Sequence, residues 1–179
     1  MVATICSLRP NVTREDAARN MSAGISGLWQ TVNYGHLRAL ADVYIPYRVF
    51  RSEIRNGRLQ ETRLFGLDAV EGSLDVYNFG DRIPQTISVE TGNRLEPALD
   101  IAKAQELLGD KLRRLIFRRG FFRVRELSIR LEAVEQLYIP YWAGFCGPDN
   151  RVHLTIMDAI RRRLEGAKVR HLVQRWLAS

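Results

Sequence analysis

The chain has 179 residues, of which 46% are hydrophobic and 26% charged, and it carries a formal net charge of +7. This is the composition of a globular protein able to bury a sizeable core. No stretch approaches the roughly 18 uninterrupted apolar residues of a membrane-crossing helix, and Cys6 and Cys146 alone make no disulfide framework.

The N-terminal MVATICSLRPN lacks a basic stretch ahead of an apolar run. No secretory signal is read there, and the cytoplasm is the default compartment. Thr13 is placed to cap a helix, Glu15 and Asp16 favour its positive end, and Ala17, Ala18, Met21 and Ile25 give it an apolar side until Gly24 and Gly27 loosen it. The stretch LRALADVYIPY follows at 37–47. Residues 47–55 are rich in β-formers, Asn56 and Gly57 favour a tight turn through positive φ, and 59–67 returns as the second strand of a hairpin. LDAVEG at 67–72 then turns the chain, because Asp bonds backbone two residues on and Gly accepts positive φ. Residues 80–95, with Pro84 and Gly92, read as a linker.

A second helix is expected from Pro97, with Ile101, Ala104, Leu107, Leu108, Leu112 and Leu115 recurring at steps of three and four. Beyond it, LEAVEQLYIPY at 131–141 repeats the earlier stretch with identity at 6 of 11 positions. Extended chain, a turn at Pro148–Asn150 and a return strand come next, with Val152, Leu154 and Ile156 alternating against Arg151, His153 and Thr155. MDAIRR at 157–162 mirrors LDAVEG, and Ala167, Val169, Leu172, Val173, Trp176 and Leu177 mark one side of a terminal amphipathic helix, for which docking back on the sheet is favoured over pairing with a partner chain and that over lying on an anionic membrane. Pro46 and Pro140 cannot donate to a ladder, so each should sit at a strand start, an edge or a bulge, with the following strand expected to begin there.

The same four letters, YIPY, thus recur because a structural corner was duplicated. The fold class expected is α+β: two related repeats, each a helix packed on an antiparallel β-sheet, at 1–79 and 96–179. The order of helix, aromatic-led strand, Gly-containing hairpin and Asp-Ala turn resembles the PepSY-type repeat, with its cystatin-like look, over residues 13–79 and 96–163. Glu71 and the Gly-less Arg161–Arg162 depart from that pattern. The resemblance implies a non-catalytic regulatory or binding unit, often outside the cytoplasm, without naming a ligand.

Three functions follow as expectations. The first is a non-enzymatic binding or assembly module for a protein or peptide partner, a second copy of the chain included, with Tyr44, Tyr47, Tyr138, Tyr141 and Trp142 as candidate ligand residues; core packing is the competing reading of these five. The second uses the charge asymmetry, since residues 1–110 carry 12 basic and 14 acidic groups and residues 111–179 carry 15 and 6. Nucleic acid would meet Arg113, Arg114, Arg118, Arg119, Phe121, Phe122 and Arg123, the arginines on phosphates and the rings on bases. The competing reading there is an amphipathic helix end whose Leu115 and Ile116 are buried. The third is a small enzyme, for which only Asp68, Asp158 and His153 offer chemistry. His36, His153 and His171 share no metal-ligand spacing with each other or with the cysteines, so neither metal nor cofactor is expected.

Overall fold

The computed structural model describes residues 2–22, 35–120, 126–148 and 152–179, the side chains of Arg119 and Gly120 excepted. Among these residues there are three helices, α1 (Arg14–Ser22), α2 (Ile101–Gly120) and α3 (Ala167–Leu177). Eight strands accompany them: β1 (Ala3–Leu8), β2 (Leu37–Asn56), β3 (Leu59–Asp68), β4 (Tyr77–Gly80), β5 (Thr86–Thr91), β6 (Leu127–Cys146), β7 (His153–Asp158) and β8 (Arg163–Leu164). Hydrogen-bonded neighbours run β4-β3-β2-β6-β1-β5, with β7 on β6 and β8 on β7. The α+β class is as expected.

Packing divides the chain into two units that alternate in sequence. Unit 1 takes Met1–Ile45, Ile87–Leu95 and Ile139–Ser179, and unit 2 takes Pro46–Thr86 and Glu96–Tyr138. Each passage through a YIPY motif is a passage between units. Residues 80–95, read as a linker, instead hold β5 and a parallel bridge of Arg94 to Tyr44.

Unit 1 forms around α1. The Thr13 hydroxyl accepts the Asp16 N–H at 3.2 Å, the N-cap the sequence predicts, so the helix starts where expected. Its Ala17 and Met21 pack with Val12, Leu40 and Met157 in one apolar cluster. On β7 the expected alternation of core and polar faces fails, since every residue from Leu154 to Asp158 is buried. The physical reason is double cover: Met157 packs with α1, and α3 also lies against β7. Helix α3 buries Val169, Leu172 and Val173, leaving Trp176 half-buried and Leu177 exposed. Asp149 and Asn150 of the expected second hairpin turn lie outside the described residues, as do Gly24, Ile25 and Gly27.

Unit 2 is the hairpin of β2 and β3 with α2 laid on it. Phe50, Phe65 and Leu67 from the strands meet Ala104, Leu108 and Leu112 from the helix, and Ile129 and Leu131 of β6 pack at the margin. The helix begins later than Pro97: Asp100 caps it, its carboxylate accepting the Lys103 N–H at 2.7 Å. Just ahead of that cap, the Arg48 guanidinium grips the Leu99 carbonyl through Nε and Nη2 at 3.0 and 2.8 Å. The hairpin turn also differs by one residue from the expected Asn56-Gly57. Asn56 pairs with Leu59, so Gly57-Arg58 form the loop, and Gly57 alone has positive φ, +62°. Glycine at the first loop position with a following residue at negative φ is the type II′ arrangement, whose twist suits a hairpin.

The prolines do not start strands. Pro46 and Pro140 lie inside β2 and β6. What starts next to them is the pairing with the return strand, Tyr47 with Asp68 and Tyr141 with Asp158. The missing N–H therefore falls where each ladder ends, and the proline carbonyl stays useful: Pro46 O accepts Ala69 N–H at 2.8 Å and Pro140 O accepts Ala159 N–H at 3.1 Å.

Candidate functional site

The two aspartates that follow the return strands are buried and belong to different units. Asp68 Oδ1 accepts the Glu71 and Gly72 N–H groups, both at 2.9 Å, and Oδ2 accepts Leu74 N–H at 2.8 Å. Asp158 Oδ1 accepts Ile160 and Arg161 N–H at 2.7 and 2.8 Å, while Oδ2 is buried without a hydrogen bond, with Arg161 Nε 4.0 Å away. Four residues past each aspartate the backbone is left-handed, at Gly72 (φ +67°) and at Arg162 (φ +58°). The glycine-free second turn therefore adopts the same bend as the first, held by the Arg162 N–H donating to Asp158 O at 3.0 Å. Both carboxylates are turn caps. His153, half-buried, sits five residues before Asp158 in β7, so the two side chains leave opposite faces. Burial, with the Arg170 charge behind it, pushes the His153 pKa down.

The aromatic candidates are core residues. Tyr44, Tyr47, Tyr138 and Tyr141 are all buried. Tyr47 stacks edge-on to Tyr77 at 5.7 Å between ring centres, and Trp142, partly buried, donates its indole N–H to Val12 O at 3.0 Å. Burial and the neighbouring Asp42 push the Tyr44 phenol up to about 12 from 10.0. A phenol that stays protonated longer in the folded chain adds stability that is intact below pH 10.0 and fades as pH rises through about 12. Tyr44→Phe should accordingly flatten the fall in unfolding free energy over that alkaline window, as read by denaturant titrations at successive pH values.

Of the basic candidates, Arg113 pairs with Asp110 at 3.0 Å, and Arg114 and Arg118 are exposed. The Arg119 side chain, Phe121, Phe122 and Arg123 lie outside the described residues. Leu115, expected to be buried, is 41% exposed, and Phe117 39%.

The exposed Leu115 belongs to a cleft that the residue patterns did not anticipate. Within unit 2, the tip of the β2–β3 hairpin and the C-terminal half of α2 enclose about 370 Å³. Its walls are Ile54, Leu59 and Phe65 from the hairpin and Leu112, Leu115 and Ile116 from the helix, spaced so that one turn of α2 faces inward. Asn56, Glu61, Arg63 and Asn78 provide the polar part. Glu61 and Arg63 are bonded to each other, and Asn78 Oδ1 accepts Gly80 N–H at 2.9 Å. Leu59 is 75% exposed, a large apolar side chain in a β-hairpin that the described residues leave uncovered. The sequence signal was the width of the apolar side of α2: Leu112, Leu115, Ile116 and Phe117 together exceed the stripe one sheet contact needs.

Among the described residues no group of three or more His, Cys, Asp or Glu side chains is arranged to hold a metal ion, and no helix is long and apolar enough to cross a membrane. Compared with protein-family models, curated proteins and solved structures, the chain matches none.

Proposed function

We propose that the chain is a binding module and that its contact surface is the hairpin–helix cleft of unit 2. The observation that carries this reading is the pairing of a concave apolar wall with uncovered Leu59 and Leu115 beside it. Large apolar side chains at the mouth of a pocket lose free energy to water that a partner would recover, roughly 25 cal/mol for each Å² covered. Catalysis has no comparable support, since both buried aspartates are engaged by turn N–H groups. The buried tyrosines serve this reading as scaffold and not as ligands.

The duplicated origin is part of the same proposal. It is supported by the matched corners: proline carbonyl to alanine N–H, Tyr paired with Asp, Asp Oδ1 capping two N–H groups, and a left-handed residue four positions on. A PepSY-like, cystatin-like ancestry is the family reading that goes with it. One copy would then have kept the corner as scaffold while the other gained an open cleft.

The experiment is photocrosslinking in the source cells. A benzophenone-bearing residue in place of Leu115 should give discrete protein or peptide adducts, and the same residue in place of Lys168, exposed on α3, should give none. Absence of adducts from position 115, or equal labelling from both positions, would overturn the proposal.

A further inference from the structure

The geometry points to an acidic peptide segment of a partner protein as the occupant of the unit 2 cleft, seating one or two large apolar side chains between the hairpin tip and α2. This rests on the reading of the cleft as the binding surface and specifies its ligand. Size comes first. A volume of about 370 Å³ lies at the small end of ligand pockets, enough for one or two bulky side chains and too little for a longer apolar segment. The inward turn of α2, Leu112 to Ile116, is matched to that scale.

Charge decides the flanks. Arg118 follows Leu115 by three positions, so it stands beside it on the helix surface, while Arg114, the residue before Leu115, lies on the adjoining face of the helix. Arg58 belongs to the two-residue hairpin loop that immediately precedes Leu59. None of these three exposed arginines has a partner among the described residues, whereas the nearest carboxylate in the cleft, Glu61, is already bound to Arg63. Among the described residues the rim therefore has cations to offer, and the cleft lining has no free carboxylate. Carboxylates flanking the apolar anchor complete it, and guanidinium groups bind carboxylates with paired N–H donors.

Other occupants fit less of the surface. A nucleic acid would neutralise the arginines but leave Leu59 and Leu115 against a charged backbone. A second copy meeting the same face would bring like charges together, because an isologous contact sets each patch against itself. An anionic membrane is flat and would meet the rim without filling the concavity.

The test uses the full chain and three fluorescein-labelled synthetic peptides sharing one spacing of Leu and Phe: one flanked by Glu, one flanked by Lys, and one with Glu flanks but Ser in place of Leu and Phe. Fluorescence anisotropy should show the Glu-flanked peptide binding in the micromolar range, at least about tenfold tighter than the other two. Leu115→Ser and Leu59→Ser should each abolish binding, and because both side chains are exposed the variants should melt as the parent does. Arg58→Glu with Arg118→Glu should reverse the preference between Glu and Lys flanks. Equal binding of both charged peptides would sink the acidic assignment and leave the cleft as an apolar docking site. Failure of all three would also sink it, and crosslinking at position 115 then decides whether the cleft reading falls with it. Displacement of the Glu-flanked peptide by a random oligonucleotide, by phosphatidylserine vesicles or by self-association of the chain at rising concentration would each overturn the assignment in favour of that competitor.

Discussion

Asp68→Ala should lower the unfolding free energy by about 4 kcal/mol, because three N–H groups lose a charged acceptor and two of those bonds are in buried surroundings. Asp158→Ala should cost only about 2 kcal/mol, since that carboxylate satisfies two N–H groups and its other oxygen is buried without a hydrogen bond. The comparison is internal to one protein and uses the same substitution at matched corners. Denaturant unfolding of both variants measures it, and an Asp158→Ala loss equal to or larger than that of Asp68→Ala would contradict the hydrogen-bonding assigned to the two turns.

Leu108→Ala is the second large effect, about 3 kcal/mol. Leu108 is fully buried among Phe50, Phe65, Leu67, Ala104 and Leu112, so truncation removes apolar contact and leaves a cavity that the hairpin and helix cannot close. Leu115→Ala, two turns along the same helix, should cost less than about 0.5 kcal/mol, as surface truncations do. Thermal and chemical melts of the pair separate the face of α2 that holds unit 2 together from the face that lines the cleft. Comparable losses would mean that Leu115 is a core residue, and the binding reading would lose its main support.

Much of the fold was legible in short-range chemistry. Thr13 caps α1 as its hydroxyl predicts, the β2–β3 hairpin turns at Gly57, and the Asp-led turns at Asp68 and Asp158 form as Asp–backbone bonding requires. The long strands were not legible, because Pro46 and Pro140 read locally as strand starts and only the position of the partner strands shows that their missing N–H groups fall at a ladder end. Interleaving of the two units escaped for a similar reason: β2 and β6 each pass through both, and pairing between distant strands leaves no mark on local composition. Burial of both faces of β7 depends on two helices that arrive from opposite ends of the chain. At the candidate site, tyrosines and arginines drew the eye by type. The aromatic corners proved to be packing, and the cleft is made of Ile, Leu and Phe whose exposure is decided by where α2 ends its contact with the hairpin.

The measurement that tests the binding cleft most directly is amide hydrogen exchange on the full chain with and without saturating Glu-flanked peptide. The account predicts slowed exchange in the hairpin tip, residues 54–63, and in α2 from residue 112 to 118, with β5 and α3 unchanged. Protection confined to β5, to α3 or to no segment at all would contradict it, because a ligand seated between Leu59 and Leu115 must shield the backbone that carries them.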